Sequence, residues 1–146
     1  MCAPYSVNAG FCLRRTTPTD ARTSLKITER EALPMDCLFC KIIEGEIPSK
    51  KAYEDEFVLG FYDIDPQAPT HITFIPKQHI AGVDAVTAEN SLHVAKIFEA
   101  IAKTAAGLGL SEGYRVVSNI GEHGQQSVRH LHFHLLGGRQ MSWPPG

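Results

Sequence analysis

The sequence predicts an α+β domain, an antiparallel five-stranded sheet with one long helix and a short N-terminal helix. Three observations carry that expectation. Five short runs bounded by Gly, Pro and acidic turn residues read as strands. One longer stretch, residues 87–106, repeats its apolar residues at helical spacing. Three of the strand-like runs precede that helix and two follow it, an order that suits a helix packed on an antiparallel sheet.

The elements follow in chain order. "CLFCKIIEGEIPSK" predicts a short helical turn over residues 36–44, stopped by Gly45 and Pro48. "KAYED" and "FVLGFYDI" form a hairpin-like pair around the polar stretch Glu54-Asp55-Glu56, and "APTHITFIPK" gives a third strand bounded by Pro69 and Pro76. Thr87 is expected to cap the long helix, which runs to Ala106. Its Leu92, Ala95, Phe98, Ile101, Ala102 and Ala105 form an apolar stripe, and Gly107 and Gly109 end it. "YRVVSNI" and "HLHFHLLGG" are the last strands, joined by the glycine-bearing loop "GEHGQQSV".

Composition excludes several classes of function. The chain has 146 residues, about one domain, and 43% of them are hydrophobic, enough for an ordinary core. Its 14 basic and 16 acidic residues give a formal charge of −2 without a dense Lys/Arg run. A nucleic-acid polymer partner, held by phosphate neutralisation, is therefore not expected, whereas a small phosphate ligand is. No apolar run approaches the roughly 18–20 residues needed to span a bilayer, so no membrane partner is expected either. Residues 1–34 lack sustained periodicity and carry five basic against three acidic residues, whereas residues 35–146 carry nine against thirteen. They read as an extension preceding a domain over 35–146: disordered, an organelle-targeting segment, or the product of a start placed upstream of Met35. Without targeting, the chain is expected to be cytoplasmic.

The densest chemical signal is "RHLHFHLLGG", residues 129–138. In an extended strand with period two, His130, His132 and His134 share one face while Leu131, Phe133 and Leu135 share the other. Three adjacent imidazoles oppose one another's protonation, which favours neutral rings able to act as nucleophile, base or metal ligand. An exposed metal-binding face is the plainer alternative for the triplet. His93 on the helix and His123 in a loop read as structural.

The run His130-Leu131-His132-Phe133-His134-Leu135-Leu136 resembles the signature of the histidine triad superfamily. With "KIIEGEIPSK", "FYDIDPQAPTHITFIPKQHI" and "GGRQMSWPPG", nearly all of residues 37–146 resembles its Hint branch, the histidine triad nucleotide-binding proteins. The resemblance implies a HIT-like fold and a purine nucleotide-binding phosphoramidase. Such an enzyme would split adenosine 5′-phosphoramidate-type bonds through a nucleotidyl-histidine and release AMP from AMP or GMP derivatives. The chemistry suits neutral imidazole, since covalent attack on phosphorus divides one hard step into two. His132 is where the nucleophile maps, and its second ring nitrogen should be held as N–H by an acceptor on its own or the neighbouring strand. His134 and His71 match histidines near the phosphate. Ser127 matches a serine near the leaving group, and Asn119 with Gln125 in the 124–128 loop would bring donors to the phosphoryl oxygens. Asp63 matches the carboxylate that accepts from the ribose hydroxyls. Phe39, Ile42, Ile47, Phe61 and Ile64 match the apolar slot for the purine. By residue type alone, Phe39, Ile42, Ile47 and Ile64 are core residues more often than a base pocket, and Asp63 and Asp65 equally turn residues.

Cys37-x-x-Cys40 departs from many Hint proteins, but other members of the superfamily use such a pair with two histidines to hold zinc. Here His79 and His130 match, giving a closed Cys2His2 structural site; a reduced, buried cysteine pair is the alternative. No organic cofactor is implied. The resemblance also implies a homodimer in which Trp143, in "SWPPG", reaches the partner's site. Two other functions stay open: a nucleotide-binding or scaffold protein with incidental hydrolysis, and a dinucleoside polyphosphate hydrolase or nucleotidyltransferase. Against transfer, those members carry glutamine where this chain has His134.

Overall fold

The computed structural model describes residues 36–145, so the expected extension over residues 1–34 lies outside the described residues. Helix α1 spans Leu38–Glu44, and Gly45 ends it at φ 82°, a left-handed conformation that glycine adopts freely, with its N–H donating back to Ile42 and Lys41. Strands β1 (Lys51–Glu54) and β2 (Val58–Tyr62) pair antiparallel. Their turn is built by Asp55, whose Oδ1 accepts from the N–H groups of Phe57 and Val58 at 2.8 Å each. Strand β3 (Thr70–Pro76), helix α2 (Ser91–Gly107), β4 (Tyr114–Val117) and β5 (Phe133–Gly137) complete the domain. The sheet is antiparallel throughout, in the order β1-β2-β3-β5-β4. The expected α+β class and the strand count hold.

Alternation along the strands gives the sheet two unlike faces. Val58, Ile72, Phe74, Phe133 and Leu135 pack with Ile97, Ala100, Ile101 and Ala105 of α2 into the main core. Opposite, Leu59, Phe61 and Ile75 pack with Phe39 and Ile42 of α1 into a smaller cluster. His71 and Thr73 of β3 and His132 and His134 belong to this second face by the same period of two.

Four expectations need correction. Thr87 does not cap α2; Asn90 stands at that position, its Oδ1 accepting from Thr87 N–H and its amide donating to Ala85 O, so a turn occupies the expected first helical residues. The expected apolar stripe splits: Ile101 and Ala105 are buried, whereas Leu92, Ala95, Phe98 and Ala102 face outward. Strand β4 stops at Val117 rather than Ile120. Strand β5 begins at Phe133, so His130 and His132 precede the ladder instead of lying within it. The reason is Pro76, which has no N–H for the ladder and whose carbonyl accepts from His130 Nε2–H at 2.9 Å.

Candidate functional site

The second face carries two adjoining clusters, and His130 and His132 fall on either side of their boundary. In the first, four donor atoms from Cys37, Cys40, His79 and His130 all lie within 4.8 Å of one another. His130 Nδ1 is 3.5 Å from Cys37 Sγ and 3.6 Å from Cys40 Sγ, and His79 Nδ1 is 3.4 Å from Cys40 Sγ. A thiolate sulfur and an imidazole nitrogen bound to one tetrahedral ion sit about 3.5 Å apart, so the residues fit a single metal. Because His130 donates its Nε2–H to Pro76 O, its Nδ1 lone pair is left for the metal, the outer-shell arrangement usual for ligating histidine. Burial holds His130 down to about 4 and lowers His79 as well, keeping both rings neutral. Burial, with the Cys37 thiol alongside, pushes Cys40 up to about 12. Only a cation would draw the proton from such a thiol at neutral pH.

The second cluster is a chain of hydrogen-bonded imidazoles. Gln67 N–H donates to His71 Nδ1 at 3.1 Å, so the proton of a neutral His71 lies on Nε2. His71 Nε2 is 2.8 Å from His134 Nδ1, which must then accept, leaving the His134 proton on Nε2. Burial, reinforced by the neighbouring His132 and His71, lowers His134 to about 4, against a smaller opposing pull from Asp63. Asp63 anchors the outer end: Oδ2 accepts from Thr73 Oγ1 at 3.0 Å and stands 3.6 Å from His71 Nε2, while Oδ1 accepts from Asp65 N–H. Asp63 is therefore both a turn residue and a neighbour of these imidazoles.

His132 joins the two clusters. Its Nδ1–H donates to the carbonyl of His130 at 2.7 Å, the support expected of a nucleophilic imidazole, and leaves the lone pair on Nε2, which no described residue engages. Its ring meets Phe39 edge-on at 5.4 Å and His134 at 5.1 Å.

The expected purine-slot residues divide. Phe39, Ile42 and Phe61 are buried in one cluster with Ile47 packed against it, whereas Ile64, at 102% relative exposure, projects into solvent past the end of β2. Asn119 is half-buried, and Gln125 and Ser127 are exposed in the loop before the histidines. Gln125 has a φ of 58°, and the loop is held by Gln126, which no sequence pattern singles out. Its amide donates to Ala81 O and Val128 O and its carbonyl accepts from Gly121 N–H. Thr73 and Ser118 are likewise absent from the expected site. Ser118 Oγ donates to His132 O at 2.8 Å, and Thr73 Oγ1 lies 3.1 Å from His134 Nδ1. Period two from His71 marks Thr73; nothing local marks Gln126 or Ser118.

With this geometry, comparison places the chain. The description of the HIT domain matches residues 44–141, and the chain belongs to the HIT-domain family. A 14 kDa zinc-binding protein of Zea mays is 54% identical over 112 residues, 75% of this chain and 87% of that protein. An uncharacterized HIT-like protein of Synechococcus elongatus is 50% identical over 111 residues, 76% of this chain and 97% of that one. The crystal structure of a HIT family hydrolase from Legionella pneumophila aligns with a TM-score of 0.74 at 52% identity, covering 76% of this chain and 100% of that one. The chain thus has the fold of a HIT family hydrolase.

Proposed function

We propose that the protein is a Hint-type phosphoramidase, a hydrolase that binds purine nucleotides and cleaves the P–N bond of adenosine 5′-phosphoramidate-type substrates. One observation carries the reading: His132 is held as the Nδ1–H tautomer with its Nε2 lone pair engaged by no described residue, beside a neutral His134 whose Nε2 is a donor. Nε2 of His132 attacks the α-phosphorus and the P–N bond breaks. The amine leaves with a proton that solvent water supplies through the Ser127 hydroxyl, which takes one proton as it gives one, while His134 keeps its Nε2–H. Water then attacks phosphorus, the His132–phosphorus bond breaks and AMP departs. His134 Nε2–H also donates to the charge that gathers on the phosphoryl oxygens. Asp63 accepts from the ribose, and Phe39, Ile42, Ile47, Phe61 and Ile64 flank the base.

Cys37, Cys40, His79 and His130 hold zinc in this reading, a closed four-ligand set that ties α1 to the histidine segment and offers no ligand position for a reacting water. The relative from Zea mays, named for zinc binding, supports that choice of ion. A homodimer is supported by two exposed features: the outward Leu92 and Phe98 of α2, at 53% and 47% exposure, and β4, an edge of the sheet with Tyr114 exposed. Trp143, 84% exposed near the end of the described chain, then serves the partner's site.

The test is AMP release from an adenosine phosphoramidate by the protein and its His132→Ala variant, with zinc measured on both. Turnover by the wild type only, at equal zinc, supports the mechanism. Activity that survives His132→Ala, or that follows zinc instead, overturns it.

A further inference from the structure

Residues 128–132 lie outside the ladder, so the carbonyl of His130 is not aimed by sheet pairing. It is aimed by what anchors the residue. His130 N–H donates to Val128 O at 2.8 Å, and its ring is gripped at both nitrogens, Nε2–H by Pro76 O and Nδ1 by the thiols of Cys37 and Cys40. The same residue's carbonyl takes the His132 Nδ1 proton at 2.7 Å. A second path runs beside the first. Phe39, in the turn that carries both cysteines, meets His130 edge-on at 5.8 Å and His132 at 5.4 Å.

We infer that His130 is a positioning residue through which metal occupancy at Cys37, Cys40 and His79 sets the tautomer and orientation of His132. This rests on the proposed function only for its effect on rate; the tautomer is a property of the resting protein. With the ion bound, the His130 ring is locked between the ion and Pro76, and its carbonyl stays on the His132 N–H. Without the ion, two thiols and two imidazoles lose their shared partner, α1 and Phe39 loosen, and His132 samples both tautomers. In the Nε2–H form the nucleophilic lone pair is gone from the reacting nitrogen. The coupling is reciprocal, so a change at His132 must also be felt at the metal.

The experiment uses the full chain with isotope-labelled histidine. Nitrogen NMR is recorded at mildly alkaline pH, where imidazole is neutral, on the zinc-loaded wild type, His79→Ala and His79→Cys. The His79 ring meets Cys40 and His130 rather than His132 or Phe39, and cysteine there keeps four ligands. The wild type should show His132 as a single Nδ1–H tautomer. His79→Ala should show tautomer averaging, with kcat lowered about 10- to 100-fold at unchanged KM, and His79→Cys should restore both. A metal-free His79→Ala protein that keeps the Nδ1–H tautomer and full kcat overturns the inference. Should His79→Ala fail to fold, cadmium NMR on cadmium-loaded wild type and His132→Gln decides: a shifted metal resonance supports the coupling, because His132 is not a ligand, and an unmoved one overturns it. A protein that cleaves no phosphoramidate yet shows the tautomer response refutes the proposed reaction and leaves the coupling standing.

Discussion

His130 and His132 are two residues apart, on one face and equally buried, yet they belong to clusters of opposite design. Around His130, two thiols and two imidazole nitrogens converge within 4.8 Å of one another, a spacing that suits one shared ion. Around His71 and His134, donors and acceptors alternate in a line from Gln67 N–H, and His132 stands beside that line, its ring 5.1 Å from that of His134. What separates them is the partner of each ring's other nitrogen. Pro76 O takes the Nε2 proton of His130 and leaves its Nδ1 facing the two thiols, while His130 O takes the Nδ1 proton of His132 and leaves the lone pair on Nε2, the atom the proposed mechanism uses. A histidine's role here is written in its hydrogen bond more than in its position.

Single substitutions should pull the two clusters apart. The largest effect is expected from His132→Ala, which should lower AMP release on the order of 10^4-fold while zinc content and melting temperature hold, checked by single-turnover kinetics and metal analysis. Cys40→Ala should do the converse. A metal present at about a thousand times its Kd stabilises the fold by about 4 kcal/mol, so losing it should lower the urea midpoint by a corresponding amount, with bound zinc falling in parallel. Acid should then probe the second cluster. A free histidine titrates at about 6.5, whereas folded His134 titrates at about 4. Between these values the unfolded chain takes a proton that the folded one refuses, so stability falls as pH drops through this window and is fully kept above it. His134→Gln should remove on the order of 3 kcal/mol of that acid-dependent loss, read as the difference between the two proteins' urea midpoints across the window. Smallest on the fold is Phe98→Glu, which should leave the core intact and shift sedimentation from dimer to monomer; an unchanged sedimentation coefficient refutes the α2 stripe as the contact.

Much of the fold and the site is legible in the chain's own pattern. Gly45 and Pro48 end α1 where turn chemistry says they must, and the alternation over residues 130–135 places Leu131, Phe133 and Leu135 in the core and the histidines opposite. Cys37 and Cys40 are brought to His79 and His130, residues distant in the chain that the family resemblance pairs. Where expectation fails, a local rule is overridden by a partner elsewhere. Asn90 displaces Thr87 because it reaches Ala85 O as well, and Pro76 cuts the ladder short from a neighbouring strand.

By itself, the sequence determined what is periodic or local: which faces are apolar, where the chain turns, and which donor atoms are available, because these follow from side-chain spacing and backbone geometry. Only the tertiary structure decided the strand order that inserts β5 between β3 and β4. It also decided the outward turn of Leu92 and Phe98 and the proton on each ring nitrogen. A tautomer is set by an acceptor that another segment supplies, and no pattern along one strand can name it.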